Sequence, residues 1–104
     1  MMIARWHIHA KFGHKSEVIE LMKEWDREVG AQTNIDSSKM RYYSGNVGVR
    51  EAEIQTEFEI EGLGDLDDFF QKISKVEIHA DWGKKMSEYV VSGSSYWEVL
   101  HVIE

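Results

Sequence analysis

His7 and His9 stand two residues apart in an alternating stretch. In a strand their imidazoles leave the same face about 7 Å apart, close enough to reach one ion. Glu57 or Glu53 from a neighbouring strand would add a carboxylate, which makes His7, His9 and Glu57 candidate ligands for zinc or iron. Two histidines without defined further ligands do not make a metal motif, and the preferred reading is cross-strand pairing of these histidines with the glutamates. The same residues offer proton chemistry. A histidine titrating near neutrality is a competent base and an arginine stabilises a developing oxyanion, so a cavity holding Arg5, His7, Tyr43 and Glu57 could abstract a proton from a bound molecule. His79, with Trp82 three residues later, is the second candidate catalytic histidine; packing or capping against a sheet is its plainer role. The candidate ligand-binding residues are Arg5, His7, His9, Tyr43, Glu57 and Trp82.

Composition removes several alternatives. The chain has no cysteine, which excludes disulfides, thiolate metal sites and a cysteine nucleophile. Its net charge is −7, with 19 acidic against 12 basic residues, and the basic ones are spread from Arg5 to Lys85. This charge repels phosphate backbones, so nucleic acid is not an expected partner. Met1-Met2-Ile3-Ala4-Arg5 leads directly into an alternating pattern, with no apolar run suited to a signal peptide or membrane span; a cytoplasmic protein without a membrane partner is expected. The 104 residues suit one domain, 1–104. A domain this small buries only about two-thirds of the surface its unfolded chain exposes, so pairing with a second copy would add useful burial.

The elements that must position these residues follow from periodicity. Ala4, Trp6, Ile8, Ala10 and Phe12 alternate with Arg5, His7, His9 and Lys11, which predicts a first strand from Ile3 to Phe12. Val18, Leu21, Met22, Trp25 and Val29 recur at helical spacing, with Gly30 as the stop. A loop from Ala31 to Ser38 leads to a second strand centred on Met40 to Tyr43. After Ser44 to Gly48, a third strand sets Ala52, Ile54, Thr56, Phe58 and Ile60 against a line of glutamates, forming a hairpin with the second. Asp65 is read as the N-cap of a helix carrying Leu66, Phe69, Phe70 and Ile73. A bend near Ser74-Lys75 separates it from a second helical pattern, Val76 to Val90. Ser92 to Ser95 turn the chain into a last strand, Tyr96 to Ile103.

The order β-α-β-β-α-β, with the second helical segment split in two, predicts an α+β ferredoxin-like plait: a four-stranded antiparallel sheet with its helices on one face and strands one and three central. The apolar sets of strands one and three then face the helices; on the outer strands either parity of Met40, Tyr42, Trp97, Val99 and His101 is open, and the favoured one puts Trp97, Val99 and Ile103 in the core. Arg5, His7, His9 and Lys11 lie beside Glu53, Gln55, Glu57 and Glu59 on the other face, and Tyr96 and Glu98 join them.

Gly45-Asn46-Val47-Gly48, the strand ending Phe58-Glu59-Ile60-Glu61, the Leu66-Asp67-Asp68-Phe69-Phe70 helix, the Val76–Tyr89 helix with Trp82, and Gly93-Ser94-Ser95-Tyr96-Trp97-Glu98-Val99 together resemble the dimeric α/β-barrel superfamily, nearest to its NIPSNAP-like members. The resemblance implies that two plaits oppose their sheets to close a barrel, with small-molecule pockets between sheet and helices or inside the barrel. Members that degrade haem use a helix histidine as axial ligand beside a tryptophan and an asparagine. This chain has His79 and Trp82 but no asparagine on strand one. Other members are cofactor-independent monooxygenases, isomerases or cyclases. The expectation is a homodimeric domain that binds a small molecule or simply associates, without a cofactor. The alternatives are cofactor-independent catalysis by a sheet-face histidine, or haem or a divalent metal held through His79 or His7 and His9.

Overall fold

The computed structural model describes residues 1–104, the side chain of Ser37 excepted. Its elements are β1 (Met2–His9), α1 (Lys15–Glu28), short 3-10 turns at Gly30–Gln32 and Ser37–Lys39, β2 (Arg41–Ser44), β3 (Glu53–Ile60), α2 (Leu63–Ser74), α3 (Glu77–Ser87) and β4 (Tyr96–His101). The strands form one antiparallel sheet in the order β2-β3-β1-β4, with β1 and β3 central. This is the expected plait, including the break between α2 and α3.

Four details differ from expectation. β1 ends at His9, and Phe12 is fully exposed, not core. Beyond Ala10, whose N–H donates to Ala52 O (2.9 Å), the chain leaves the ladder: the Lys11 N–H donates to Tyr89 O, and Gly13, at φ +82°, turns it toward α1. At the far edge Val99 and Ile103 have the helix-side parity but are exposed, because no helix reaches over that end of β4. Asp65 is not the N-cap of α2; Gly62 is, and Asp65 sits in the first turn, where its carboxylate accepts from the Glu61 N–H (2.9 Å). α1 stops at Glu28, before Gly30, which opens a 3-10 turn and is itself buried.

The interior is divided. One apolar cluster joins Ile8, Ala10 and Ile54 of the sheet region to Val18 and Met22 of α1 and Met86 of α3. A second joins Ala4, Phe58 and Ile60 to Leu66 and Phe69 of α2. Aromatic residues fill the boundary: Trp25 lies tilted against both Phe69 and Trp82, and Trp97 meets Phe58 and Phe69 edge-on.

Candidate functional site

One register row crosses all four strands on the helix side. Tyr42 of β2 is opposite Thr56 of β3, Thr56 opposite Trp6 of β1, and Trp6 opposite Trp97 of β4. Thr56 is the short side chain in this aromatic row, and above the row lies a cavity of about 300 Å3. Met22 and Trp25 of α1, Phe69, Phe70 and Ile73 of α2, and His79 and Trp82 of α3 close it from the helical layer. The chain's four tryptophans all line it. The volume is at the lower end of ligand pockets, which run roughly 300–1,000 Å3 with mostly apolar walls and few polar groups.

Those polar groups can be accounted for one at a time. The Trp6 indole N–H donates to Ser95 Oγ (2.6 Å), that of Trp82 to Leu21 O (2.5 Å) and that of Trp25 to His79 Nδ1 (3.1 Å). An indole N–H only donates, so His79 Nδ1 accepts and the neutral ring carries its proton on Nε2. Burial lowers the His79 pKa, which favours this neutral form. Thr56 Oγ1 is enclosed by protein, beside the Tyr42 hydroxyl. Tyr42 is pushed up to about 12 by burial of its hydroxyl and by the nearby Asp26 carboxylate, against a side-chain hydrogen bond with Thr56 that lowers it. Asp26, behind Tyr42 on α1, is itself raised by burial, against a hydrogen bond from Tyr42 and the charge of Arg27. Thr56, Tyr42 and Asp26 form the polar corner of an otherwise apolar chamber.

The opposite sheet face carries most of the residues singled out in the sequence, in two rows. The first alternates charge across every strand: Arg41, Glu57, Arg5, Glu98. Arg5 Nη2 and Nε both donate to Glu57 Oε1 (2.5 and 3.2 Å), while the Tyr43 hydroxyl donates to Oε2 (2.9 Å). Burial raises the Glu57 pKa, but the hydrogen bonds from Arg5 and Tyr43 and the charges of Arg5 and Arg41 outweigh it, and the net shift is downward. The second row is Tyr43, Gln55, His7, Tyr96. His7 is buried, stacked on Tyr96 with ring centres 4.3 Å apart, and its Nε2 lies 2.5 Å from Glu98 Oε1. His7 Nδ1 is 3.7 Å from Glu53 Oε2 and has no hydrogen bond. An open hollow at this face is lined by Arg5, Tyr43, Gln55 and the loop from Ser44 to Val49.

The predicted site residues therefore divide between two faces. Arg5, His7, Tyr43 and Glu57 come together on the polar face, largely occupied with one another and with Glu98, and the His9 side chain takes no part in their contacts. Trp82 and His79 belong to the cavity on the helix side. Among the described residues no group of three or more histidine and acidic side chains is arranged to hold a metal ion. Haem does not fit either: Trp25 occupies the Nδ1 lone pair of His79 and Nε2 bears the proton, which leaves the ring no free nitrogen for iron. Sequence reasoning missed Trp6, Trp25, Tyr42 and Thr56 as site residues. The available signal was Thr56, the one polar residue in an alternating apolar set.

No family model matches this chain, and no curated protein matches its sequence. Solved structures do. A NIPSNAP family protein from Agrobacterium tumefaciens superposes with a TM-score of 0.76 at 16% identity, covering 100% of this chain and 95% of that one. The fold is NIPSNAP-like. A NIPSNAP domain protein from Burkholderia xenovorans gives 0.74 at 8% identity, with 99% and 95% covered. The same plait is shared by a cofactor-independent oxygenase from Streptomyces nogalater, at 0.67 and 5% identity, with 99% and 94% covered. Among the described residues, no helix of this NIPSNAP-like plait is long and apolar enough to cross a membrane.

Proposed function

We propose that this protein is a homodimeric binding domain for a small aromatic molecule, held in the cavity between sheet and helices, with the polar sheet face given to association with a second copy. The observation that carries this reading is the convergence of all four tryptophans on one chamber of about 300 Å3. Aromatic walls supply large apolar contact with defined geometry, and three of the indole N–H groups are engaged within the protein. A guest therefore meets ring faces. The polar face supports self-association through Tyr43, Tyr96 and Leu100, all exposed around a charge row that sums to zero; aromatic residues are enriched in such interfaces.

Binding without chemistry is favoured over acid–base catalysis by the state of both candidate histidines. A general base needs a free lone pair within reach of the proton it removes. The Nδ1 lone pair of His79 accepts from Trp25, and His7 is committed to Glu98 on the face remote from the cavity. The test is to follow the four indole N–H resonances of 15N-labelled protein while adding small mono- and bicyclic aromatics, with native mass spectrometry for the assembly. Saturable shifts in several indole signals, in a protein of twice the chain mass, are expected. Indoles unresponsive to every compound would overturn the ligand reading, and a monomer at micromolar concentration would overturn the pairing.

A further inference from the structure

Resting on the pairing of two copies through the polar sheet face, we propose that Arg41 and Glu98, the two ends of its charge row, are partners between copies. Arg41 of each protomer pairs with Glu98 of the other, so the row selects a second copy of this chain in one orientation.

The row runs Arg41, Glu57, Arg5, Glu98 from β2 to β4, the two edge strands of the sheet. Its middle is satisfied within the chain, because Arg5 donates twice to Glu57. Its ends keep spare capacity. Arg41 is exposed and, among the described residues, enters no ion pair. Glu98 Oε1 meets His7 Nε2 at 2.5 Å and lies 3.9 Å from Arg5 Nη1, while the side chain stays 40% exposed. Three strand spacings of about 4.8 Å hold the two ends about 14 Å apart, so one chain cannot close this pair on itself.

The sign of the ends dictates how a second copy fits. An alternating row with an even number of members ends in opposite charges, and a two-fold axis that brings one residue to a second also brings the second to the first. Joining unlike ends therefore makes the Arg41–Glu98 contact twice and continues the alternation through both copies. Joining like ends sets Arg41 against Arg41. The neighbouring rows sharpen this difference. Tyr43 and Tyr96 flank the charges on one side, and Ile3 and Leu100 on the other. When two such faces meet, aromatic and aliphatic surface encloses the charges, and like charges brought together there repel far more than they would in water.

Charge exchange tests the contact directly. Arg41→Glu makes both ends of the row acidic, and Glu98→Lys makes both ends basic. Each variant alone should raise the dimer dissociation constant by about tenfold or more in sedimentation velocity. Mixed in equal amounts, the two should form dimers containing one chain of each, because every row end then meets its opposite. Native mass spectrometry separates that species by mass, and it should exceed the half of all dimers that random pairing gives. Arg41→Glu/Glu98→Lys in a single chain should recover the parent affinity. Glu98→Lys also removes the contact to His7, but loss of a local contact is not restored by mixing. A parent that is monomeric overturns the pairing and this inference with it. A dimeric parent whose folded single variants pair as tightly as it does, or whose mixture shows no excess of mixed dimers, overturns the Arg41–Glu98 contact and leaves the pairing standing. The unmodified protein decides the matter even if a variant does not fold: its dissociation constant should rise between about 0.05 M and about 0.5 M sodium chloride, and a constant that stays level or falls overturns the contact.

Discussion

The Trp25–His79 hydrogen bond ties an indole donor to an imidazole acceptor between α1 and α3, and it has a consequence for acid stability. Burial holds His79 below its ordinary value of 6.5, so the unfolded chain takes up the proton more readily than the folded one. Stability contributed by the neutral ring is present above about pH 6.5 and declines as pH falls through that value toward the lower folded one. His79→Gln keeps a polar group without the titration. The fall in melting temperature between pH 7.5 and 5.5 should therefore be smaller in His79→Gln than in the parent; parallel curves would refute the assignment. Glu57 acts in the same direction further down. Its folded value lies below the ordinary 4.5, so its contribution is complete above that value and is lost as pH falls below it. Glu57→Gln should flatten the stability curve below about pH 4.5, measured by urea unfolding across pH 3 to 5. At this scale the polar face was legible in the sequence, because strand parity alone puts Arg5 and His7 beside Glu57 and Glu98. The cavity was not, because it arises where Thr56 fails to fill the space that helices distant in sequence leave above it.

Among the elements, the two central strands were readable from alternation, and the places where alternation misled have local causes. The pattern continues to Phe12 although hydrogen bonding to β3 has already ended, and it continues to Ile103 although no helix covers that edge. Periodicity reports which side a residue points to, not whether anything stands there. Two glycines give predictions of opposite sign. Gly83 lies within α3, and a Cβ there would meet nothing within 4 Å. Gly83→Ala should stabilise by about 0.5–1 kcal/mol through helix propensity. Gly45 closes the β2–β3 connection, with its N–H on Glu53 O (2.9 Å), and an added Cβ would collide with the backbone oxygen of Arg50. Gly45→Ala must displace that loop and should cost about 1–3 kcal/mol. Urea midpoints at constant m-value would check both. In the core, Phe58 is 2% exposed and packs on Phe69 and Trp97; its truncation to alanine should cost about 3–5 kcal/mol.

For the whole molecule, the proposed pairing through the polar face depends on Tyr43 and Tyr96, which are 39% and 51% exposed beside the buried His7. A Tyr43→Ala/Tyr96→Ala protein should shift from dimer to monomer in sedimentation velocity while keeping its circular dichroism; an unchanged sedimentation coefficient would place the contact elsewhere. The divided interior has a further consequence. α3 is anchored by Met86 in one apolar cluster and α2 by Leu66 and Phe69 in the other, and the chain between them is only Lys75 and Val76. Each helix is thus seated in its own half of the core, with the chamber as the seam. Such an arrangement breathes in two parts: amides of α2 and of α3 should exchange with solvent at different opening free energies, and a guest that bridges the seam should draw the two together. The joint at Lys75 and Val76 is then the place where the two halves of the helical layer can part, and exchange at its own amides would report how often they do.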